Sequence, residues 1–171
     1  LKSLFAMRHA KSDWSQSVDD FDRPLNRRGR GDPPRVGQML EAIAGGPDLV
    51  VSSPAERARE TANGVVQALG RPVDILFRDR LYLAGTDAIT QALHSAGKDA
   101  TGTEAESVLL IGHNPGLEEW IARLCGARVR LPTAAVAHLL VSVDDWSEVG
   151  TDCGQLQWLV IPKLITAIRA P

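Results

Sequence analysis

The sequence predicts an α/β protein: a three-layer α/β/α sandwich around a mostly parallel sheet with an antiparallel edge. Strand-like and helix-like patterns alternate for most of the 171 residues, which calls for a layered sheet with helices on both faces. The alternation breaks near the C-terminus, where residues 136–143 and 155–161 form two β-rich runs joined by an acidic, glycine-containing loop (144–154). Two such runs in succession read as an antiparallel pair near one edge. A chain of this length can bury roughly 70% of its unfolded surface, so 1–171 reads as one domain whose core needs no staples.

The elements follow in order. Residues 3–7 are the first strand, and 11–23 a polar loop. Val36, Leu40 and Ile43 then recur at helical spacing until Gly45 and Gly46. Two starts stay open for this helix: Asn26 as the cap with Pro33 and Pro34 as a kink, or Asp32 as the cap with Pro33 in the first turn. Residues 48–52 are the second strand. Ser53 at the cap, Pro54 at the first position and Glu56 at the third read as a capping box. Ala58, Ala62, Val65 and Leu69 supply that helix's buried stripe, and Gly70 with Pro72 ends it.

Residues 73–77 are a third strand, followed by a helix from a Thr86 cap through Ile89 and Leu93 to Gly97, then a polar loop over 98–106. Residues 107–111 are the fourth strand. Asn114 and Pro115 open a helix that turns Leu117, Ile121 and Leu124 inward before Gly126 closes it. There is no internal repeat, low-complexity segment or interdomain linker.

Composition narrows the function classes. With 19 basic and 21 acidic residues the formal net charge is −2, so no global field draws the chain to nucleic acid or to an anionic membrane. No apolar stretch reaches the roughly 20 residues a membrane span needs, and the opening apolar run is too short for a signal-peptide core. Cys125 and Cys153 form neither a metal-ligand spacing nor a disulfide framework, which suits a reducing compartment; the cytoplasm is the expected location. With Leu at position 1, that residue need not be the natural start.

The functional signal is a convergence. Three apolar runs each stop at residues suited to holding a phosphoryl group: 4–7 into Arg8 and His9, 49–51 into Ser52, Ser53 and Arg57, and 108–111 into His113. In an open parallel sheet, side chains just past the carboxyl ends of neighbouring strands meet in one crevice. Arg8 and Arg57 would contribute forked, charge-assisted hydrogen bonds of about 1.5–3 kcal/mol each. A cation in the first turn of a helix opposes the macrodipole, so Arg57 is disfavoured there unless an anion joins it. The local alternative is that Arg57 pairs with Glu60 or Glu56.

His113, in Gly112-His113-Asn114-Pro115, lies in a strand-to-helix turn whose N–H groups also face the crevice. A neutral imidazole is a competent nucleophile toward phosphorus near pH 7, so His9 could accept the phosphoryl group. The rival use of His9 and His113 is metal binding, against which the fixed charge of the arginines argues; no metal or cofactor is expected. Ser15, Arg23 and Asn114 are further candidates for phosphate contact. Within the cluster Arg23, Arg27, Arg28, Arg30 and Arg35, a solvated face is the alternative to a phosphate rim, and Arg23 and Arg27 are the better rim candidates. His94 and His138 read as structural. Trp14 and Trp146, both in loops, either line the mouth of the site or pack on the core.

At these residues the chain resembles the histidine phosphatase superfamily, of phosphoglycerate mutase-like fold, and within it the small phosphohistidine phosphatase (SixA-like) branch. Met7-Arg8-His9-Ala10-Lys11-Ser12 matches the branch's opening, with Ala where the wider family has glycine. Asp22-Arg23-Pro24-Leu25 with Arg28 and Gly29, then Ser52-Ser53-Pro54 with Arg57 and Thr61, then Gly112-His113-Asn114-Pro115 follow in the expected order. The resemblance spans most of the chain. It implies that His9 is the phosphorylated nucleophile, that Arg8, Arg57 and His113 bind the phosphoryl group, and that no metal is needed.

One departure bears on substrate. The glutamate that protonates the leaving oxygen in most of these phosphatases has no counterpart in Arg80-Leu81-Tyr82-Leu83-Ala84-Gly85. An alkoxide leaves poorly without an acid, whereas a phosphoramidate leaves readily once its nitrogen is protonated, so a P–N substrate is favoured; Asp79 or Asp87 as proton donor is the alternative. The expected activity is hydrolysis of phosphohistidine on a signalling protein, for example a phosphotransfer domain, by a monomer. A small phosphorylated metabolite as substrate, or a module that binds a phosphorylated partner without turnover, are the other readings.

Overall fold

A computed structural model of the protein describes residues 1–96 and 104–169. Among the described residues every strand belongs to one six-stranded sheet. In chain order these are β1 (Lys2–Arg8), β2 (Leu49–Ser52), β3 (Asp74–Phe77), β4 (Ser107–Gly112), β5 (Val136–Val141) and β6 (Gly154–Val160). Across the sheet the order is β3-β2-β4-β1-β5-β6. The first four run parallel; β5 pairs antiparallel with both β1 and β6. The sequence-predicted antiparallel pair is thus the edge of an otherwise parallel sheet.

The helices are α1 (Asp32–Ala44), α2 (Glu56–Leu69), α3 (Thr86–His94), α4 (Gly116–Cys125) and α5 (Pro162–Arg169). Alternation along β1 shows how the layers are filled. Phe5 and Met7 join Val36, Leu40, Ala58, Val65 and Ile165 on the α1, α2 and α5 face, while Leu4 and Ala6 join Ile89, Leu93, Leu117 and Ile121 on the α3 and α4 face. Both faces of the central strands are covered, which is why these strands read as continuous apolar runs. Each Val, Leu, Ile, Met or Phe side chain buried there contributes about 1.5–3 kcal/mol relative to exposure.

Several expectations about element ends change. Asp32 falls in the first turn of α1, while Asn26 Oδ1 accepts from Gly29 N at 2.7 Å and caps the short turn before it. Ile43 is 56% exposed rather than buried, because the last turn of α1 faces the shallow apolar groove beside α5, a helix the sequence reading did not anticipate. The capping box on α2 does not form: the helix begins at Glu56 with Ala55 as its cap and no side-chain bond there. Thr86 is likewise the first residue of α3 and caps nothing. The predicted end of that helix at Gly97, and 98–103 of the predicted loop, lie outside the described residues. Gly70 and Gly126 end α2 and α4 at φ 71° and 72°, a conformation only glycine adopts at little cost.

Candidate active site

Strands β2, β4 and β1 are neighbours and finish level with one another, with Ser52 opposite Ile111 and Arg8 opposite Gly112. The ladder continues one residue further, Ser53 N donating to Ile111 O at 3.0 Å and His9 N to Gly112 O at 3.1 Å. Arg8, His9, Ser53 and His113 therefore leave the sheet together. They open on a cleft of about 440 Å³ that Arg57, from the first turn of α2, also lines.

His9 is 7% exposed, and its Nδ1 lies 2.7 Å from the Ala10 carbonyl. A carbonyl only accepts, so Nδ1 carries the proton and the lone pair of the neutral ring is on Nε2. Arg57 Nε donates to that lone pair at 3.3 Å. Burial pushes the His9 pKa down to about 4; the bond to Ala10 opposes this, and the charges of Arg57, Arg8 and Arg23 add to it. The ring is thus neutral at ordinary pH. Thr61 steadies this loop from below, accepting from Ala10 N at 3.0 Å and donating to Arg57 O at 2.6 Å.

His113 mirrors it. Its Nδ1 accepts from Arg57 Nη2 at 3.4 Å, and its Nε2 is 2.8 Å from Ser53 Oγ. Ser53, predicted as a helix cap, accepts from Ala55 N at 3.3 Å and also supports this imidazole. A hydroxyl donates and accepts, so the pair can exchange tautomers and present Nδ1 either as a lone pair or as an N–H. The His113 pKa falls to about 3, through burial first and then the neighbouring His9 and Arg57, with Asp20 opposing. The two imidazole centroids are 5.0 Å apart.

Arg57 is 3% exposed and does not pair with Glu60 or Glu56. Glu60 accepts from Leu25 N and Arg30. The partner of Arg57 is Asp20, whose Oδ2 accepts from Nη2 at 2.9 Å and whose carbonyl accepts from Nη1 at 2.5 Å. The same Oδ2 accepts from Tyr82 Oη at 2.7 Å, and Oδ1 accepts from Arg23. Burial pushes the Asp20 pKa up, but the bonds from Tyr82 and Arg57 and the charges of Arg57 and Arg23 outweigh it, so Asp20 titrates below the usual carboxylate range. Asp20 and Tyr82 were missed in the sequence. Asp20 lies in an aperiodic polar loop, and only its three-residue spacing from Arg23 hints at a role.

Arg8, Arg23 and Asn114 line the cleft, together with Lys11, Ser12 and Arg28. Arg8 Nε, Arg23 Nε and Nη1, and Asn114 Oδ1 are buried and have no hydrogen-bond partner among the described residues. Buried polar atoms left unpaired are costly, and their concentration around one cleft marks it as built for a polar ligand. Trp14 is 78% exposed at the rim, stacked on the Arg23 guanidinium, and Leu83 stands there at φ 48°.

Other candidates lie elsewhere. Ser15 is exposed and bonds Asp13, Arg27 points to solvent, Asp79 is outside the cleft, and Asp87 pairs with Arg123. Trp146 is buried and donates to Ala105 O, so it packs on the core. His94 and His138 bond Val149 O and Ser3 Oγ. Among the described residues no group of three or more His, Cys, Asp or Glu could hold a metal ion, and no helix is long and apolar enough to cross a membrane.

The chain is similar to several known proteins. Residues 4–82 match the model of the histidine phosphatase superfamily (branch 1). An uncharacterized chloroplastic protein of Arabidopsis thaliana is 32% identical over 170 residues, covering 94% of this chain and 78% of that protein. Two solved structures carry the same fold. One is a candidate SixA phosphohistidine phosphatase of Nakamurella multipartitia, at TM-score 0.79 and 27% identity over 94% of this chain and 96% of that one. The other is its counterpart from Agrobacterium tumefaciens, at TM-score 0.76 and 26% identity over 94% and 98%.

Proposed function

The chain belongs to the histidine phosphatase superfamily and has its phosphoglycerate mutase-like α/β fold, and from that premise we propose that it is a metal-independent phosphohistidine phosphatase acting through a covalent phosphohistidine on His9. The observation that carries this reading is the His9 ring. Its proton is held at Nδ1 by Ala10, and its Nε2 lone pair faces the cleft beside a buried guanidinium.

Attack begins when Arg57 Nε–H turns from His9 Nε2 to a phosphoryl oxygen, freeing the lone pair. The Nε2–P bond forms as the bond from phosphorus to the leaving group breaks. Arg8 and Arg57, with His113 donating from Nδ1, neutralise the charge on the equatorial oxygens, which is where phosphoryl transfer needs most help. Water then attacks phosphorus, the P–Nε2 bond breaks with its electron pair returning to His9, and the water's proton leaves with the phosphate. The unpaired donors Arg8 Nε and Arg23 Nη1 support the same assignment, since a tetrahedral oxyanion offers them acceptors.

A protein substrate is favoured by the rim. Exposed Trp14 and Leu83 flank a cationic cleft, an arrangement able to receive a side chain projecting from a partner's surface. The test is direct. Wild type incubated with a phosphohistidine peptide should release phosphate with or without chelator and yield an acid-labile, base-stable phosphoenzyme; His9→Ala should do neither. Full turnover by His9→Ala would sink the mechanism, loss of activity with chelator would restore the metal reading, and preference for sugar phosphates would move the substrate to small metabolites.

A further inference from the structure

Asp20 is the one carboxylate among the described residues that line the cleft, against five cations: Arg8, Lys11, Arg23, Arg28 and Arg57. It is 44% exposed while His9, His113 and Arg57 are buried, so it stands on the outer side of the site, linked to His9 through the Arg57 guanidinium. The sequence held no acid where the wider family has one, and Asp87, one alternative, is committed to Arg123. Something on the outer side must still manage the leaving group's proton.

We propose that the Asp20 carboxylate is the acceptor for the N–H of a cationic nitrogen leaving group, and that it makes the site selective for P–N over P–O bonds. This deepens the phosphohistidine reading and rests on it. A phosphohistidine ring reacts when its second nitrogen is protonated. As His9 Nε2 bonds to phosphorus, the substrate's P–N bond breaks, its electron pair stays on the substrate nitrogen, and the ring leaves as neutral imidazole with its proton still on the other nitrogen. Five surrounding cations would lower that nitrogen's pKa, so that the proton would pass to solvent water on entry and the ring would have to depart as an imidazolate. Asp20 offsets them, and its bonds from Arg57, Tyr82 and Arg23 hold it in place while leaving acceptor capacity on Oδ1.

Ionised at working pH, this carboxylate cannot donate a proton to an alkoxide. It therefore helps nitrogen leaving groups and leaves oxygen leaving groups unaided. A hydrogen bond to a charged group is strong enough to carry a selectivity of this kind.

The experiment compares wild type, Asp20→Asn and Asp20→Glu on three substrates: a phosphohistidine peptide, phosphoramidate, and 4-nitrophenyl phosphate, whose leaving group needs no proton. Asp20→Asn is expected to lower the ratio of kcat/KM for phosphoramidate or the peptide to that for 4-nitrophenyl phosphate by about 30-fold, and Asp20→Glu to recover part of it. Equal losses on all three substrates would show that Asp20 only holds Arg57, and no change in the ratio would show that it does not touch the leaving group; either overturns the proposal. If wild type ignores the peptide but cleaves phosphoramidate with the Asp20→Asn dependence, the phosphohistidine reading fails and this one stands. Circular dichroism of the isosteric variant separates loss of fold from loss of selectivity.

Discussion

Arg57 Nε stands 3.3 Å from His9 Nε2, and the same guanidinium reaches His113 Nδ1 at 3.4 Å. One buried fork thus spans both imidazoles while Asp20 holds its outer edge. Arg57 comes from α2 and the histidines from the ends of β1 and β4, so this contact ties three elements into one site.

Arg57→Lys should keep the charge and lose the fork, since an ammonium on a flexible stem cannot address both rings and a phosphoryl oxygen in one plane. Losing two charge-assisted bonds of about 1.5–3 kcal/mol each predicts a fall in kcat/KM of about 100-fold or more. Steady-state kinetics beside a thermal melt will check it; a variant within a few-fold of wild type would show the fork is dispensable.

Ser53→Ala should leave His113 Nε2 without its partner and remove the tautomer exchange it allows. The expected effect is about a 10-fold loss in kcat with a smaller change in KM. A pure KM effect would place Ser53 in substrate binding instead.

Acid should act on stability before it acts on the chemistry. His9 and His113 have folded pKa values of about 4 and about 3, below the 6.5 of a free imidazole. The unfolded chain therefore binds more protons below pH 6.5, and folding stability is complete above that pH and declines as pH falls toward the folded values. Each ring contributes a slope of up to about 1.4 kcal/mol per pH unit in that window. Urea titrations at pH 7, 6 and 5 should show the midpoint falling, while turnover of 4-nitrophenyl phosphate by still-folded enzyme keeps no acid limb at 6.5. An acid limb near 6.5 in kcat would mean that one of these rings titrates normally.

Gly116→Ala should destabilise the protein. A Cβ there would lie 1.9 Å from the Ala84 carbonyl oxygen, so either the start of α4 or the chain beside Leu83 must move. Overpacking against backbone costs about 2 kcal/mol or more, measurable as a lowered unfolding midpoint. Because Leu83 belongs to the rim, phosphohistidine turnover should fall with it. An unchanged midpoint would show that this contact yields cheaply.

Legibility in the sequence followed the range of the interaction. The strands were readable because each is a short apolar run between polar neighbours, and the ends of α2 and α4 because a left-handed turn demands Gly70 and Gly126. Arg8, His9 and His113 were readable because parallel strands deliver their carboxyl ends to one side. Ser53 was read only in part: its local pattern is that of a helix cap, and its Oγ does accept from Ala55 N, but its shorter bond goes to His113, 60 residues away. Helix α5 escaped notice because, among its described side chains, Ile165 alone is buried in the core.

From the amino acids alone came the layered α/β architecture, the antiparallel edge and the grouping of four residues at three strand ends, since these follow from hydrophobic period, turn chemistry and the direction of parallel strands. Tertiary structure alone decided that Arg57 serves both imidazoles, that Asp20 and Tyr82 close the outer side, and that Ser15 and Arg27 stand apart. Those outcomes depend on which donors and acceptors a fold brings within about 3 Å of one another, and no spacing along a chain encodes that for an aperiodic loop.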